Sequence, residues 1–358
     1  MSADQKTILF AAGGTGGHVI PAFVLASEIR EKHPEYRCVF VGVKGKFEEQ
    51  WIPARGFDVE LLDMQGVKSG SLIKRLAALL KLPNAFIQSK KVLDQYKPER
   101  VFGIGGYSSG PIMLLASLRG IPCAIIEPNA APGLSNKILA KFVKRVYVVF
   151  AWANRYFPSK KVRNYGHLIR KSIFAVQPPS EKTAMKTVTI LGGSQGSMQV
   201  NDVFCTMLEQ NINELKDKIT VIHQTGSRDY AHIAERYQSI NVTSTVQPFF
   251  DDVEAIYGRT HLIIARSGSS VLEFAAVGIA SILIPLSIAA DNHQVENAKV
   301  LVATQGAIMI EEKDLTPALL FEKIQSMLNI DPSQYREQLQ TLRKENAVQE
   351  IMEDFLQL

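Results

Sequence analysis

Short apolar runs alternate along the whole chain with longer segments of mixed polarity. The short runs are rich in β-branched residues and predict strands, and the longer segments repeat apolar residues at helical spacing. Strands separated by helices indicate βαβ units and parallel sheets, so the predicted fold class is α/β. The predicted strands span 7–12, 36–42, 57–62, 100–104, 121–126 and 145–150 in the first half, and 187–191, 219–224, 242–247, 260–265, 279–284 and 306–310 in the second.

Each half begins with a strand that runs into a glycine-rich loop. The loops read Gly13-Gly-Thr-Gly-Gly-His18 in the first half and Gly192-Gly-Ser-Gln-Gly196 in the second. A strand that turns through glycines into a helix presents backbone N–H groups and the positive end of the helix dipole, which suits a phosphate group. We therefore expect two similar doubly wound domains that face a common cleft and handle a phosphate-bearing substrate.

The first glycine loop does not fit a dinucleotide-binding oxidoreductase. That fingerprint needs a third glycine where this chain has Val19, and an acidic residue at the end of the second strand, which here reads Val39-Phe-Val-Gly-Val-Lys44. The chain also lacks the P-loop pattern G-x-x-x-x-G-K-[ST]. A third glycine cluster, Gly103–Pro111, follows the predicted fourth strand, where ligands bind in open α/β sheets.

The charge of the chain is uneven along its 358 residues, a length that suits about two domains. The net charge is +5, yet the stretch from Pro128 through Ser180 holds ten Lys or Arg and no Asp or Glu. This stretch indicates an anionic partner, although a solvated basic face has the same pattern. Three scattered cysteines are typical of a reducing compartment, and the polar start and short apolar runs predict a soluble or peripheral protein.

One predicted helix has the pattern of a helix that lies on a membrane surface. Residues 72–82 place apolar side chains on one face and basic side chains beside it. An ordinary amphipathic helix that faces the core has the same pattern. The side chains predicted to contact anionic lipid, including two from the acid-free stretch, are Leu72, Lys74, Arg75, Leu76, Leu79, Leu80, Lys141 and Lys144.

His18 is the candidate general base. It follows the first glycine loop at a predicted helix N-terminus, where the dipole disfavours the protonated imidazole. A neutral imidazole can take a proton from an attacking hydroxyl, although a helix cap or a phosphate contact would suit the same position. Glu127, at the end of a predicted strand, is the second candidate.

The ordered motifs resemble the MurG-type N-acetylglucosaminyltransferases of peptidoglycan synthesis. The resemblance covers nearly the whole chain and departs from the family pattern at Ile126, Pro128, His167 and Ser269. The motifs that carry it are Gly13–His18, Gly105–Pro111, Asn129–Asn136, Gly192–Gly196, Arg266–Glu273 and Asp291–Gln294 with Asn297.

The resemblance implies a GT-B fold, in which two Rossmann-like doubly wound parallel-sheet domains face a cleft. Residues 1–162 with 343–358 would form the acceptor- and membrane-binding domain, to which the last helix returns. Residues 163–342 would form the UDP-sugar-binding domain.

The implied reaction is an inverting transfer of N-acetylglucosamine from UDP-GlcNAc to the 4-hydroxyl of MurNAc in undecaprenyl-pyrophosphoryl-MurNAc-pentapeptide. This enzyme would lie peripherally on the cytoplasmic face of the bacterial inner membrane. Its implied partners are both substrates, anionic inner-leaflet phospholipid and other cell-wall synthesis proteins, but no nucleic acid. The chain has no Asp-x-Asp metal motif, so no cofactor is required, although a divalent cation could stimulate the reaction.

The resemblance also implies which residues bind each substrate. Glu273 would accept hydrogen bonds from the ribose hydroxyls, the Phe250 backbone would read the uracil edge, and Arg170 would meet the diphosphate. The donor-binding set is Thr15, Gly16, Gly17, Arg170, Ser194, Gln195, Phe250, Arg266, Glu273, His293, Gln294 and Asn297. The acceptor-binding set is Gly105, Gly106, Tyr107, Asn129 and Asn136.

Three other functions are compatible with this architecture. Another GT-B lipid glycosyltransferase would use a different acceptor. A UDP-sugar 2-epimerase would release sugar without any acceptor. A catalytically silent subunit would bind the UDP-sugar, without turnover, as part of a membrane scaffold.

Overall fold

A computed structural model describes residues 5–14, 16–64, 72–179, 183, 185–193, 196–286 and 292–358, with the backbone alone over 72–81. The chain forms two compact units. Unit 1 comprises Met1–Ile169 with Lys344–Leu358, and unit 2 comprises Arg170–Arg343.

Unit 1 is built on a parallel sheet of seven described strands in the order β3-β2-β1-β4-β5-β6-β7. These strands are β1 Lys6–Ala11, β2 Tyr36–Val43, β3 Asp58–Leu62, β4 Arg100–Gly103, β5 Cys123–Glu127, β6 Arg145–Val148 and β7 Val162–Arg163. The helices between them are α1 Gly16–Lys32, α2 Glu48–Trp51, α3 Leu72–Tyr96, α4 Gly110–Leu118 and α5 Leu134–Leu139. Short 3-10 helices span Pro53–Arg55, Ala151–Tyr156 and Ser159–Lys161.

Unit 2 repeats this plan with a parallel sheet of six described strands in the order β10-β9-β8-β11-β12-β13. These strands are β8 Lys186–Leu191, β9 Ile219–Gln224, β10 Ser244–Gln247, β11 Leu262–Ala265, β12 Ala280–Leu283 and β13 Ala307–Met309. The helices are α6 Lys171–Ala175, α7 Met198–Leu215, α8 Tyr230–Ser239, α9 Val253–Tyr257, α10 Val271–Val277, α11 His293–Ala303, α12 Pro317–Leu328 and α13 Pro332–Leu339. Short 3-10 helices span Glu312–Asp314 and Gln340–Leu342.

The last helix, α14 (Ala347–Leu356), packs in unit 1. The Phe355 ring lies edge-on against Phe102 of β4, with ring centroids 5.1 Å apart. Asp354 accepts a hydrogen bond from the Arg145 Nε at 2.8 Å and another from the Tyr147 hydroxyl at 2.7 Å. The C-terminal segment therefore completes the core of unit 1 rather than that of unit 2.

The predicted α/β fold with two doubly wound parallel sheets is confirmed. All twelve predicted strands are present, with ends shifted by two residues at most. The sequence pattern missed β7, because a two-residue strand carries no periodic signal. Among the helices that the structure describes, none combines the length and the apolar character that crossing a bilayer requires.

Two sets of predicted residues fall on less fully described parts of the chain. Thr15, Ser194 and Gln195 lie outside the described residues. The backbone of α3 confirms the helix that was predicted over 72–82. Its predicted lipid-contacting side chains are outside the described ones, namely those of Leu72, Lys74, Arg75, Leu76, Leu79 and Leu80.

Candidate functional site

A buried carboxylate orders the first glycine loop of unit 1. Glu48, the first residue of α2, is 0% exposed and accepts hydrogen bonds from the Gly14 N–H at 3.0 Å and the Val43 N–H at 2.8 Å. A Cβ on Gly13 would lie 2.5 Å from the Glu48 Oε1, so this carboxylate occupies the space that a side chain would need. Sequence reasoning missed Glu48, because its partner Gly14 lies 34 residues earlier in the chain.

The first and third glycine clusters lie against each other. A Cβ on Gly106 would be 3.5 Å from the Nδ1 of His18, and one on Gly14 would be 3.8 Å from the Tyr107 ring. The Ser108 hydroxyl also donates to the Gly13 carbonyl at 3.4 Å. The structure thus brings the candidate base together with predicted acceptor-binding residues.

His18 occupies the first turn of α1, directly after Gly16 and Gly17. Its side chain is partly exposed, and Gly17 is exposed. Because α1 is 17 residues long, its N-terminal N–H groups disfavour a positive charge on this imidazole. The position therefore suits a neutral proton acceptor.

Glu127 is enclosed by hydrogen-bond donors at the end of β5. Its Oε1 accepts from the Asn129 backbone N–H at 3.0 Å and from the Asn129 Nδ2 at 3.1 Å, and its Oε2 accepts from the Asn136 Nδ2 at 2.9 Å and the Gly133 N–H at 3.3 Å. Burial raises the pKa of Glu127 to about 7, while the hydrogen bonds from Asn136 and Asn129 act in the opposite direction. Both carboxylate oxygens of Glu127 are therefore occupied, and the residue is 1% exposed.

The predicted acceptor-binding asparagines have different surroundings. Asn129 is partly exposed beside Glu127, as a ligand contact would require. Asn136 is 2% exposed and donates to Glu127 and to the Ile126 carbonyl, the latter at 3.1 Å. Asn136 therefore supports the loop that follows β5 and presents no open surface to a ligand.

In unit 2, a residue at the end of a strand orders the second glycine loop. Gln224, the last residue of β9, donates from its Nε2 to the Gly193 carbonyl at 3.1 Å. Its Oε1 accepts a hydrogen bond from the Phe250 N–H, also at 3.1 Å. Phe250 is 9% exposed, and its predicted contact with a uracil edge stays a prediction. Gln224 is a second residue that sequence reasoning missed.

Arg266 makes its described contacts with protein groups. Its guanidinium donates to the Ser197 hydroxyl at 2.8 Å, to the Ile284 carbonyl at 3.2 Å and to the Pro285 carbonyl at 3.3 Å, and it forms an ion pair with Glu312. The Arg266 side chain is 10% exposed. These contacts join the loops after β8, β11 and β12, and the predicted contact of Arg266 with the donor stays a prediction.

Two predicted donor-binding residues lie close together in unit 2. Arg170 forms an ion pair with Glu254 at 3.1 Å, and Glu273 in the first turn of α10 accepts a hydrogen bond from the Tyr257 hydroxyl at 3.1 Å. Burial raises the pKa of Glu273, while the charge of Arg170 and the hydrogen bond from Tyr257 act in the opposite direction. As a whole residue, Glu273 is partly exposed.

The start of α11 carries the remaining predicted donor contacts. His293 and Gln294 are partly exposed, and the Gln294 Oε1 accepts from the Leu286 N–H at 2.9 Å. Asn297 is 0% exposed and donates to the Ser267 carbonyl at 3.1 Å. Asn297 therefore holds the Arg266 loop.

The described residues contain no group of three or more His, Cys, Asp or Glu that could hold a metal ion. All three cysteines are buried, unlinked thiols. Burial raises the pKa of Cys38 and of Cys205 to about 12, so these thiols are unreactive at neutral pH.

Two protein-family models match most of the chain. The Glycosyltransferase family 28 N-terminal domain matches residues 8–148, and the Glycosyltransferase family 28 C-terminal domain matches residues 187–355. The UDP-N-acetylglucosamine--N-acetylmuramyl-(pentapeptide) pyrophosphoryl-undecaprenol N-acetylglucosamine transferase of Syntrophus aciditrophicus is 40% identical over 321 residues, which cover 89% of each chain. The protein of the same name from Bdellovibrio bacteriovorus is 37% identical over 90% of each chain.

Solved structures show the same architecture. The crystal structure of Acinetobacter baumannii MurG aligns with a TM-score of 0.76 and 26% identity, and covers 99% of this chain and 100% of that one. A Neisseria meningitidis UDP-GlcNAc 2-epimerase bound to UDP-GlcNAc aligns at 0.66 with 13% identity, and covers 98% of this chain and 100% of the other, which shows a shared fold alone. The predicted GT-B fold class is confirmed by these similarities.

Gly196→Ala should destabilise unit 2 more than Gly193→Ala does. Both glycines have a left-handed backbone, with φ of +73° and +87°, which costs about 1–2 kcal/mol for another residue. A Cβ on Gly196 would overlap the Thr225 carbonyl, whereas one on Gly193 meets no described atom within 4 Å. We expect a loss of more than about 3 kcal/mol for Gly196→Ala in urea unfolding. Equal losses in the two variants would contradict the packing that we describe.

Glu127→Gln should change how stability depends on pH. The pKa of Glu127 in the folded state, about 7, lies above its usual value of 4.5, so the native state holds the proton more tightly. The wild type should therefore lose about 3 kcal/mol relative to Glu127→Gln as pH rises from about 4.5 to about 7. Urea unfolding of both proteins at several pH values measures this difference. The contributions of the buried His167 and His223 to the pH dependence cancel, because both proteins contain these residues. A constant difference would show that Glu127 is ionised throughout.

Proposed function

The chain belongs to glycosyltransferase family 28 and, within it, to the MurG-type transferases, and from this premise we propose its reaction. It transfers N-acetylglucosamine from UDP-N-acetylglucosamine to the 4-hydroxyl of MurNAc in undecaprenyl-pyrophosphoryl-MurNAc-pentapeptide, with inversion at the anomeric carbon. The main support is the 40% identity over 89% of both chains to a protein named for this acceptor. The reaction converts lipid I into lipid II in peptidoglycan synthesis.

His18 takes the proton of the attacking hydroxyl in this proposal. It lies against Gly106 and beside the Tyr107 loop, so a sugar held by these residues has its hydroxyl near the imidazole. A positioned base contributes about 10²–10⁴-fold to the rate. Glu127 supports the acceptor loop instead, because four hydrogen bonds occupy its carboxylate.

We also propose that unit 2 binds the sugar nucleotide donor. Glu273 accepts hydrogen bonds from ribose hydroxyls, and Arg170 balances negative charge on the departing diphosphate. His293 and Gln294 hold the sugar, and the backbone amides of the second glycine loop contact phosphate. Hydrogen-bond donors of this kind stabilise the negative charge that develops in the transition state. Removing a single one of them costs roughly 3–4 kcal/mol. Adding a divalent cation to the activity assay at increasing concentration measures whether it contributes to this stabilisation.

An exposed apolar and basic surface in unit 1 supports binding to lipid. Leu134, Ile138 and Phe142 recur every four residues and are 52%, 47% and 45% exposed. Lys141 and Lys144 are exposed in the same segment, which lies in the acid-free stretch. Apolar side chains among basic ones suit the boundary of an anionic membrane. We propose that this surface holds the protein peripherally at the cytoplasmic face of the inner membrane, near its lipid-linked substrate.

His18→Ala should lower kcat for acceptor-dependent UDP release by about 10²–10⁴-fold, because the attacking hydroxyl loses its base. The assay uses UDP-N-acetylglucosamine with and without a short-chain lipid-linked muramoyl-pentapeptide. His33→Ala is the matched control, since His33 lies just beyond the other end of α1 and should leave kcat unchanged. Release that does not need the acceptor would indicate an epimerase or hydrolase. UDP binding without release would indicate a silent subunit, and an unchanged kcat in His18→Ala would exclude His18 as the base.

Replacing apolar or basic residues of the unit 1 surface should weaken binding to anionic vesicles. We expect Ile138→Ser with Phe142→Ser to lose most flotation at low and high salt, because burial of apolar area is lost. Lys141→Glu with Lys144→Glu should lose it mainly at low salt, where about 1 kcal/mol per basic residue is available. Ile330→Ser in unit 2, where Ile330 is 40% exposed, serves as the control. Wild-type flotation in both double variants would contradict the assignment of this surface.

A further inference from the structure

Tyr257 is a buried tyrosine whose hydroxyl reaches a proposed donor-binding residue. It ends α9, is 2% exposed, and packs edge-on against Phe274 of α10 with ring centroids 6.5 Å apart. Its hydroxyl donates to the Glu273 Oε2 at 3.1 Å. A phenylalanine would fill the same space, so the hydroxyl is the part of this side chain that packing does not explain. A buried hydroxyl costs free energy unless it has a partner, and that partner is Glu273.

The groups around Glu273 set how readily it holds a negative charge. Arg170 attracts the charge, whereas Glu254, which is ion-paired with Arg170 at 3.1 Å, repels it. Tyr257 lowers the pKa of Glu273 through its hydrogen bond and adds no charge of its own. Burial raises the pKa of Tyr257 well above its usual value, so the hydroxyl stays protonated and acts only as a donor.

We propose that Tyr257 is a positioning residue for the sugar nucleotide, because its hydroxyl fixes one oxygen of the Glu273 carboxylate and leaves the rest of that carboxylate for the donor. An ionised carboxylate offers about four acceptor positions. With one occupied by Tyr257, enough remain for two neighbouring hydroxyl groups, such as the 2′ and 3′ hydroxyls of a ribose. This inference rests on the proposed role of Glu273 in donor binding.

Affinity for the nucleotide should depend on pH through the charge of Glu273. An ionised Glu273 accepts hydroxyl donors, and a protonated one offers fewer acceptor positions, so affinity for the nucleotide falls as pH drops through the pKa of Glu273. Removing the Tyr257 hydroxyl raises that pKa. The pH at which binding weakens therefore moves upward, and the loss of affinity is largest at mildly acidic pH. A change that only loosened the fold would lower affinity similarly at every pH.

The test measures the Kd of UDP by calorimetry from pH 5 to pH 8 for wild type, Tyr257→Phe and Glu273→Gln. For Tyr257→Phe we expect affinity about tenfold weaker at the acidic end of this range, an upward shift of the binding midpoint, and a smaller deficit at pH 8. KM for UDP-N-acetylglucosamine should rise in parallel, and kcat should change little. Glu273→Gln should weaken binding and remove this pH dependence, and adding Tyr257→Phe to it should have no further effect.

Tyr237→Phe is the matched control. Tyr237 is also buried in unit 2, and its hydroxyl contacts His223 Nδ1 at 3.0 Å instead of a carboxylate. It should keep the pH profile of the wild type. If Glu273→Gln binds UDP as the wild type does, the proposed donor site itself is wrong. If Glu273→Gln is weakened but Tyr257→Phe follows the wild type or the Tyr237→Phe control, the role of Tyr257 alone is overturned.

Discussion

The structure depends most on the close packing of neighbouring groups against glycines at the ends of central strands. In unit 1 the Glu48 carboxylate takes the space that a Cβ on Gly13 or Gly42 would need. In unit 2 the Thr225 carbonyl takes the space beside Gly196. Because these glycines have no side chain, the chain can turn tightly before α1 and α7.

This constraint explains why buried polar residues gather at the strand ends. Glu48 holds the loop after β1, Gln224 holds the loop after β8, and Glu127 holds the loop after β5. Each satisfies backbone groups that a tight loop would otherwise leave without partners. His18 and Glu273, which are partly exposed, lie on helices that begin at or near such ordered loops. Rigid support of this kind is what a site needs to hold reacting groups in place.

Periodicity along the chain was sufficient to predict the sheets, but it did not predict the residues that hold the loops of the candidate site. Strands such as β5 and β12 are continuous apolar runs bounded by turns, so their positions could be predicted. Glu48 and Tyr257 could not be found in the same way, because each acts on a partner that only folding brings close. A motif also does not separate residues that touch a ligand from those that hold its loop. Arg266, Asn136 and Asn297 were predicted as ligand contacts, and the structure gives them protein partners.

The most direct test of the central claim is the anomeric configuration of the sugar after transfer. UDP-N-acetylglucosamine labelled with ¹³C at the anomeric carbon would be incubated with the protein and a lipid-linked muramoyl-pentapeptide, and the product examined by NMR. Since the sugar is α-linked in the donor, a single displacement by the acceptor hydroxyl predicts a β-linked disaccharide on the lipid. An α-linked product, or free sugar with no disaccharide, would contradict this account.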